Sequence, residues 1–130
     1  MRVTQTQFYK KLLGRIGEGK AQKYLRKKGY KIIEKNYRTK LGEVDLIALY
    51  GDLLVLIEVK TRTSTAYGNP ADAVDYFKQK KYILLAENYL AFNKEHKNKA
   101  VRFDVVEVLN GEINHIEGAF YADDVFKTQR

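Results

Sequence analysis

Three residues stand in an order that suits metal-assisted chemistry: Asp45, Glu58 and Lys60. They belong to two apolar runs, Val44 to Tyr50 and Leu53 to Val59, parted by Gly51-Asp52, the residue types of a tight hairpin turn. With that turn, the numbers of facing residues sum to 103, which sets Asp45 opposite Glu58 and Glu43 opposite Lys60. A strand period of two puts all four on one face. Facing β-carbons lie about 4.5 to 5.5 Å apart, and carboxylates held so repel each other until a cation neutralises them. A hard divalent ion, Mg²⁺ or Mn²⁺, prefers such oxygen ligands.

The reaction this set suits is phosphodiester hydrolysis, which needs a water deprotonated near neutral pH, a polarised oxygen and positive charge for the transition state. A metal held by Asp45 and Glu58 meets the first two needs, with the backbone carbonyl of Val59 as a plausible extra ligand. Lys60 is placed to orient the water or stabilise the developing charge. Glu-Val-Lys alone is common at solvated strand ends. The weight rests on the conjunction of Asp, hairpin, facing Glu and a Lys two residues on.

Around these residues the pattern predicts a helix from about Thr6 to Lys28, ended by Gly29, with Gly14, Gly17 and Gly19 marking a late start or a close approach. A strand follows at Tyr30 to Arg38, then a turn near Thr39 to Gly42. Ile47, Leu49, Leu54 and Leu56 share one hairpin face and Leu46, Ala48, Val55 and Ile57 the other, so the hairpin is central and covered on both sides. Thr61 to Gly68 reads as a polar loop beside the site, able to move over a substrate. Asn69-Pro70, with Asp72, predicts the start of a second helix that runs to about Asn93, with Tyr82, Leu85, Ala86, Tyr89 and Leu90 as its buried stripe. Strands at Val101 to Leu109 and near Glu112 to Gly118 complete the chain. Strand, long helix, strand implies a crossover with parallel pairing, hence an α/β fold with a mixed sheet flanked by helices.

At 130 residues the chain is the size of one domain, 1–130. No run approaches a membrane span and the N-terminus lacks a signal-type apolar stretch, which points to a cytoplasmic protein with no membrane partner. The absence of cysteine excludes disulfides, thiolate zinc sites and cysteine nucleophiles. Residues 1 to 41 hold 13 Lys or Arg against 2 acids, whereas the remainder holds 11 against 14. One third of the chain thus carries a concentrated positive field suited to a polyanion.

The segment GEVDLIALYGDLLVLIEVKTR resembles the PD-(D/E)xK motif of the restriction-endonuclease-like superfamily. With GRIGEGKAQKYLRKKGY, NYRTKLGEVDLIA, YGNPADAV and VRFDVVEV it is similar to the YraN-like family of small bacterial proteins, related to Holliday-junction resolvases. Val44 stands where the superfamily motif has proline. The resemblance implies a restriction-endonuclease-like fold, an Mg²⁺-dependent endonuclease acting on DNA, branched DNA included, and, by analogy with resolvases, a homodimer. It also draws Glu18 into the site, which shares a helical stripe with Gly14, Ala21 and Leu25 and so needs a metal, a bound water or a basic partner. Glu43 has two roles open to it, holding Lys60 or forming a cross-strand ion pair. Candidate phosphate contacts are Lys10, Lys11, Arg15, Arg62, Lys78, Lys80 and Lys81. Arg102 and Asp104 fit a family position or a strand-edge ion pair equally well. The second reading is a nucleic-acid-binding protein without turnover, acting in DNA repair, uptake or RNA processing, since this superfamily includes members that have lost catalysis.

Overall fold

A computed structural model describes residues 4–64, 68 and 74–122. The elements run α1 (Gln5–Lys27), β1 (Lys31–Thr39), β2 (Gly42–Tyr50), β3 (Leu53–Arg62), α2 (Tyr76–Phe92), a single 3₁₀ turn (Lys94–His96), β4 (Ala100–Leu109) and β5 (Glu112–Phe120). The five strands form one sheet in sequence order, antiparallel throughout except for the parallel β3–β4 pair that α2 connects. This mixed sheet flanked by two helices fits a restriction-endonuclease-like fold. Among the described residues no helix is long and apolar enough to cross a membrane.

The sheet is covered on both sides, and the hairpin's alternation decides which residue goes where. Ile47, Leu54 and Leu56, with Leu49 beside them, pack against Tyr82, Leu85 and Tyr89 of α2. Leu46, Ala48, Val55 and Ile57 pack against Ala21 and Leu25 of α1. Gly51 takes φ +58° in the turn, a conformation that costs glycine nothing. Both outer strands are interrupted: the β1–β2 register shifts between Ile32 and Glu34, and the β4–β5 register between Phe103 and Val105, with Gly118 at φ +61°.

Helix α1 starts early. Thr4 and Gln7 cap it reciprocally, each side chain accepting from the other's backbone N–H at 3.1 and 2.9 Å. Gly29, at φ +96°, follows its C-cap Lys28. Of its three glycines, Gly17 marks the close approach: a Cβ there would overlap the Thr61 hydroxyl and come within 2.9 Å of the Thr61 Cβ. A polar network pins the C-terminal half of α1 to the sheet. Arg102 donates twice to Asp104, at 2.8 Å each, and once to the Tyr30 hydroxyl at 2.6 Å; His115 lies between Asp104 (2.7 Å) and Tyr24 (3.1 Å). Burial alone would raise the Asp104 carboxyl, but hydrogen bonds from His115, Arg102 and the Gly118 N–H outweigh it and hold it below its usual range. The expected Arg102–Asp104 ion pair is thus present, with Asp104 fully buried and Arg102 half-buried.

Helix α2 begins later than its sequence suggests. Its cap is Asp75, accepting from the Lys78 N–H at 2.9 Å, and its first residue is Tyr76. Asn69, Pro70 and Asp72 lie outside the described residues. The buried stripe of α2 is as expected, with Ile83 added and Leu90 only partly buried. Strand β3 also extends through Thr61 and Arg62, residues expected in a loop.

The glycines of α1 yield opposite expectations under substitution. Gly17→Ala should destabilise by about 1 to 3 kcal/mol, because the helix is pressed against Thr61. Gly14→Ala and Gly19→Ala, where a Cβ meets nothing within 4 Å, should stabilise by up to about 1 kcal/mol through helix propensity. Urea unfolding of the three variants checks the order; a Gly17→Ala protein as stable as the other two would refute the close approach.

Candidate active site

Regular β2–β3 pairing runs from Tyr50↔Leu53 to Leu46↔Ile57 in the expected register and then stops. One step on, the Val59 N–H donates to Asp45 Oδ2 at 2.8 Å. Asp45 and Glu58 thus come together at the end of the hairpin and line one cavity of about 430 Å³, with Gly42 and Glu43 on the β2 side and Asp75, Lys78, Lys81 and Tyr82 on the α2 side.

Glu58 is only 5% exposed, and α2 supplies both partners that make its burial tolerable. Lys78 Nζ donates to its Oε1 at 2.6 Å, and the Tyr82 hydroxyl donates to its Oε2. Lys78 and Tyr82 are four residues apart on the helix and therefore share a face. Tyr82 is 1% exposed; its burial and the negative Glu58 raise its phenol, so it stays protonated and donates.

Asp45 lacks such a partner. Among the described residues no ammonium or guanidinium forms an ion pair with it. Burial and then the charge of Glu58 push its carboxyl up to about 7, with Glu18 adding to the effect while the Val59 N–H and Lys78 oppose it. The Glu18 carboxyl is raised too, by burial, Glu43 and Glu58 in that order. Asp45 and Glu18, from β2 and α1, thus both respond to the charge of Glu58 on β3. Among the described residues, no three Asp, Glu, His or Cys side chains converge as a ready-made metal cage. The donor chemistry still suits a hard cation: among the described residues no ion pair offsets Asp45 once it ionises, and Glu58 already binds a cation, the Lys78 ammonium.

Lys60 is two residues beyond Glu58 on β3 and lines a second cavity, about 500 Å³, with Lys10, Gly14 and Glu18 of α1. The expected Glu43–Lys60 pairing is absent. Glu43 takes the other role open to it, a cross-strand ion pair, accepting from its β1 register partner Arg38 at 3.0 Å, while β2–β3 pairing stops before Glu43 reaches Lys60. At Val59 it is the amide that the structure ties to the site. Arg62 is turned inward, 3.5 Å from Glu107 and donating to the Gly68 carbonyl at 3.0 Å, rather than offered to solvent. Lys10, Lys11 and Arg15 are exposed on α1, and Lys81 is exposed at the first cavity. Lys80 lies over the Tyr76 ring at 4.5 Å. Sequence reasoning placed Tyr82 in the core and Lys78 among the phosphate contacts; their spacing of four was the signal that both point at one carboxylate.

The elevated Asp45 carboxyl has a measurable consequence. A folded value near 7 against 3.8 for the unfolded chain means the folded state holds this proton more tightly, so the related stability is full below about pH 4 and is lost as pH rises to about 7. In metal-free buffer Asp45→Asn should therefore unfold at a higher temperature than wild type above pH 7, with the gain vanishing below about pH 4. Thermal melts across that range check it; a pH-independent difference would contradict the assignment.

Comparison with known proteins agrees along most of the chain. The model of the Uncharacterised protein family UPF0102 matches residues 17–108, from the glycine that lets α1 approach β3 to the end of β4. The UPF0102 protein TTE1452 of Caldanaerobacter subterraneus subsp. tengcongensis is 50% identical over 118 residues, covering 85% of this chain and 96% of the relative. A UPF0102 protein of Alkaliphilus oremlandii is 47% identical over 115 residues (85% and 98%), and one of Rhodococcus opacus is 46% identical over 113 (83% and 95%). None of these names states an activity. With a family match over more than half its length and relatives aligned almost end to end, the chain belongs to the UPF0102 family, the YraN-like proteins that its motifs resemble.

Proposed function

We propose that this protein is an endonuclease of the restriction-endonuclease-like superfamily that hydrolyses phosphodiester bonds in DNA with Mg²⁺ or Mn²⁺, branched DNA included. The observation that carries this reading is the Asp45–Glu58 pair at the end of the hairpin, Glu58 buried and Asp45 half-buried, in which no cation among the described residues forms an ion pair with Asp45. An ion pair serving the fold alone would match each anion drawn out of water with a cation.

Asp45 and Glu58 would hold the metal, which when bound lowers the pKa of a water and polarises the scissile phosphate. The Val59 N–H fixes the orientation of Asp45, and the Tyr82 hydroxyl that of Glu58. Glu18, with its raised carboxyl, is a better proton acceptor than an ordinary carboxylate and lines the same cavity as Lys60. The Lys60 ammonium can stabilise charge that builds on the phosphate. Lys10 on one side and Lys78 and Lys81 on the other flank the carboxylates, so a phosphate backbone laid across the end of β3 meets cations on both sides. Such contacts recognise shape and charge, not sequence. A second reading, a nucleic-acid-binding protein without turnover, draws support from Glu58, whose two oxygens are both occupied by α2.

Cleavage of labelled branched and duplex DNA separates the two. Wild type should cut with Mg²⁺ or Mn²⁺. Asp45→Asn and Glu58→Gln should abolish cleavage while DNA binding survives, because removing negative charge does not weaken attraction to phosphate. Lys60→Ala should lower the rate at least about 100-fold yet keep metal affinity, since an ammonium is not a ligand. Binding should weaken steeply with salt. If calorimetry finds that wild type takes up neither metal at millimolar concentration with DNA present, the binding-protein reading replaces the enzyme.

A further inference from the structure

Glu58 has two partners of different mobility. Its side chain is 6% exposed, so its charge requires compensation. Tyr82 is neutral, 1% exposed and packed among core residues, and cannot withdraw. Lys78 has a side chain 37% exposed on a flexible four-carbon stem. Its backbone is fixed, because its N–H donates to the Asp75 cap at 2.9 Å. Only the ammonium is free to swing, and it lies 2.6 Å from Glu58 Oε1.

A divalent ion on Glu58 would sit about 2.0 to 2.2 Å from a carboxylate oxygen, within the space that the Lys78 nitrogen now fills. Two cations cannot share it. We propose that Lys78 is the resident counter-cation of Glu58, that a divalent ion evicts it, and that the released ammonium then takes a substrate phosphate in the same cavity. This rests on the nuclease reading and extends it by giving Lys78 two alternating partners.

The other carboxylates of the cavity each have one oxygen already engaged. Of the other carboxylates along the wall, Glu43 is held by Arg38 at 3.0 Å and Asp75 Oδ1 is engaged as the helix cap. Asp45 is the companion ligand of the ion. A phosphate oxygen entering beside the metal is then the acceptor of highest charge within reach. Lys78 would thus lower the cost of the empty site and contribute to substrate grip only once the metal is in place.

The test measures Mn²⁺ binding by calorimetry, above neutral pH, in wild type, Lys78→Met, Lys78→Arg and Lys81→Met. Without its competitor, Lys78→Met should bind Mn²⁺ at least about tenfold tighter. Lys81→Met, which removes the same charge from the same cavity without freeing Glu58, should gain less than about threefold. Lys78→Arg, which keeps the charge, should bind no tighter than wild type. Thermal melts show that Lys78→Met is folded and should place it below wild type without metal and restore it with Mn²⁺. In a second arm, binding of a short DNA duplex is titrated with salt, with and without Ca²⁺ as a non-turnover ion. With Ca²⁺ the log–log salt slope of Lys78→Met should be smaller than that of wild type by about one; without metal the slopes should agree. Equal Mn²⁺ affinity in wild type and Lys78→Met, or an unchanged slope with Ca²⁺, overturns the exchange and leaves the nuclease reading standing. Absence of metal binding in every variant overturns the nuclease reading, and the exchange with it.

Discussion

The register of the β2–β3 hairpin is the constraint on which the rest of this molecule depends. The turn at Gly51-Asp52 opposes Leu46 to Ile57, and each residue between them faces one helix or the other. A slip of one residue would send Ile47, Leu54 and Leu56 toward α1 and expose the α2 side of the sheet to the wrong residues. The same register delivers Asp45 to Glu58. The two cores that hold the fold together and the two carboxylates that strain it are therefore set by one turn, and neither can change without the other.

The helices finish what the hairpin begins, each in its own way. Helix α2 brings cation and phenol to Glu58 through Lys78 and Tyr82, which makes this buried charge tolerable. Helix α1 brings Glu18 toward the carboxylates, and its approach depends on Gly17 lying against Thr61. Asp45 is the part of the arrangement left uncompensated. A fold selected for stability alone would place Asn or an apolar residue there; groups that cost stability at a cleft are the usual mark of a functional site.

What the sequence made legible follows from periodicity. Alternation and turn chemistry suffice for the hairpin, its two faces and its register, and a strand, helix and strand in succession suffice for the parallel β3–β4 pair. Local signals failed where tertiary contact decides. The cap of α2 is Asp75, a residue that the local pattern does not single out. Symmetric continuation of the ladder would set Glu43 against Lys60, whereas the Asp45 side chain takes the Val59 amide, pairing ends, and Glu43 forms its cross-strand ion pair with Arg38. Arg62 reads as a basic residue after the motif, but Glu107, 45 positions away, draws it inward. The partners of Glu58 became visible only when α2 was docked on the sheet. The Asp104–His115 contact was hidden in the same way, joining residues of two strands whose regular pairing shifts between Phe103 and Val105.

The interruptions in β1 and β5 bear on how this chain meets other molecules. These are the two outer strands, and an outer strand with an unbroken row of free N–H and C=O groups invites the strand of another chain to zip onto it. Here the shift at Ile32–Glu34 on one border and the left-handed kink at Gly118 on the other put adjacent main-chain groups out of step. Neither border is a continuous template, which disfavours a further strand beyond the five described. For crowded copies of the protein this weakens the main-chain route to ribbon-like assembly and shifts the weight of encounters to side chains, on the helices and at the mouth of the carboxylate cleft.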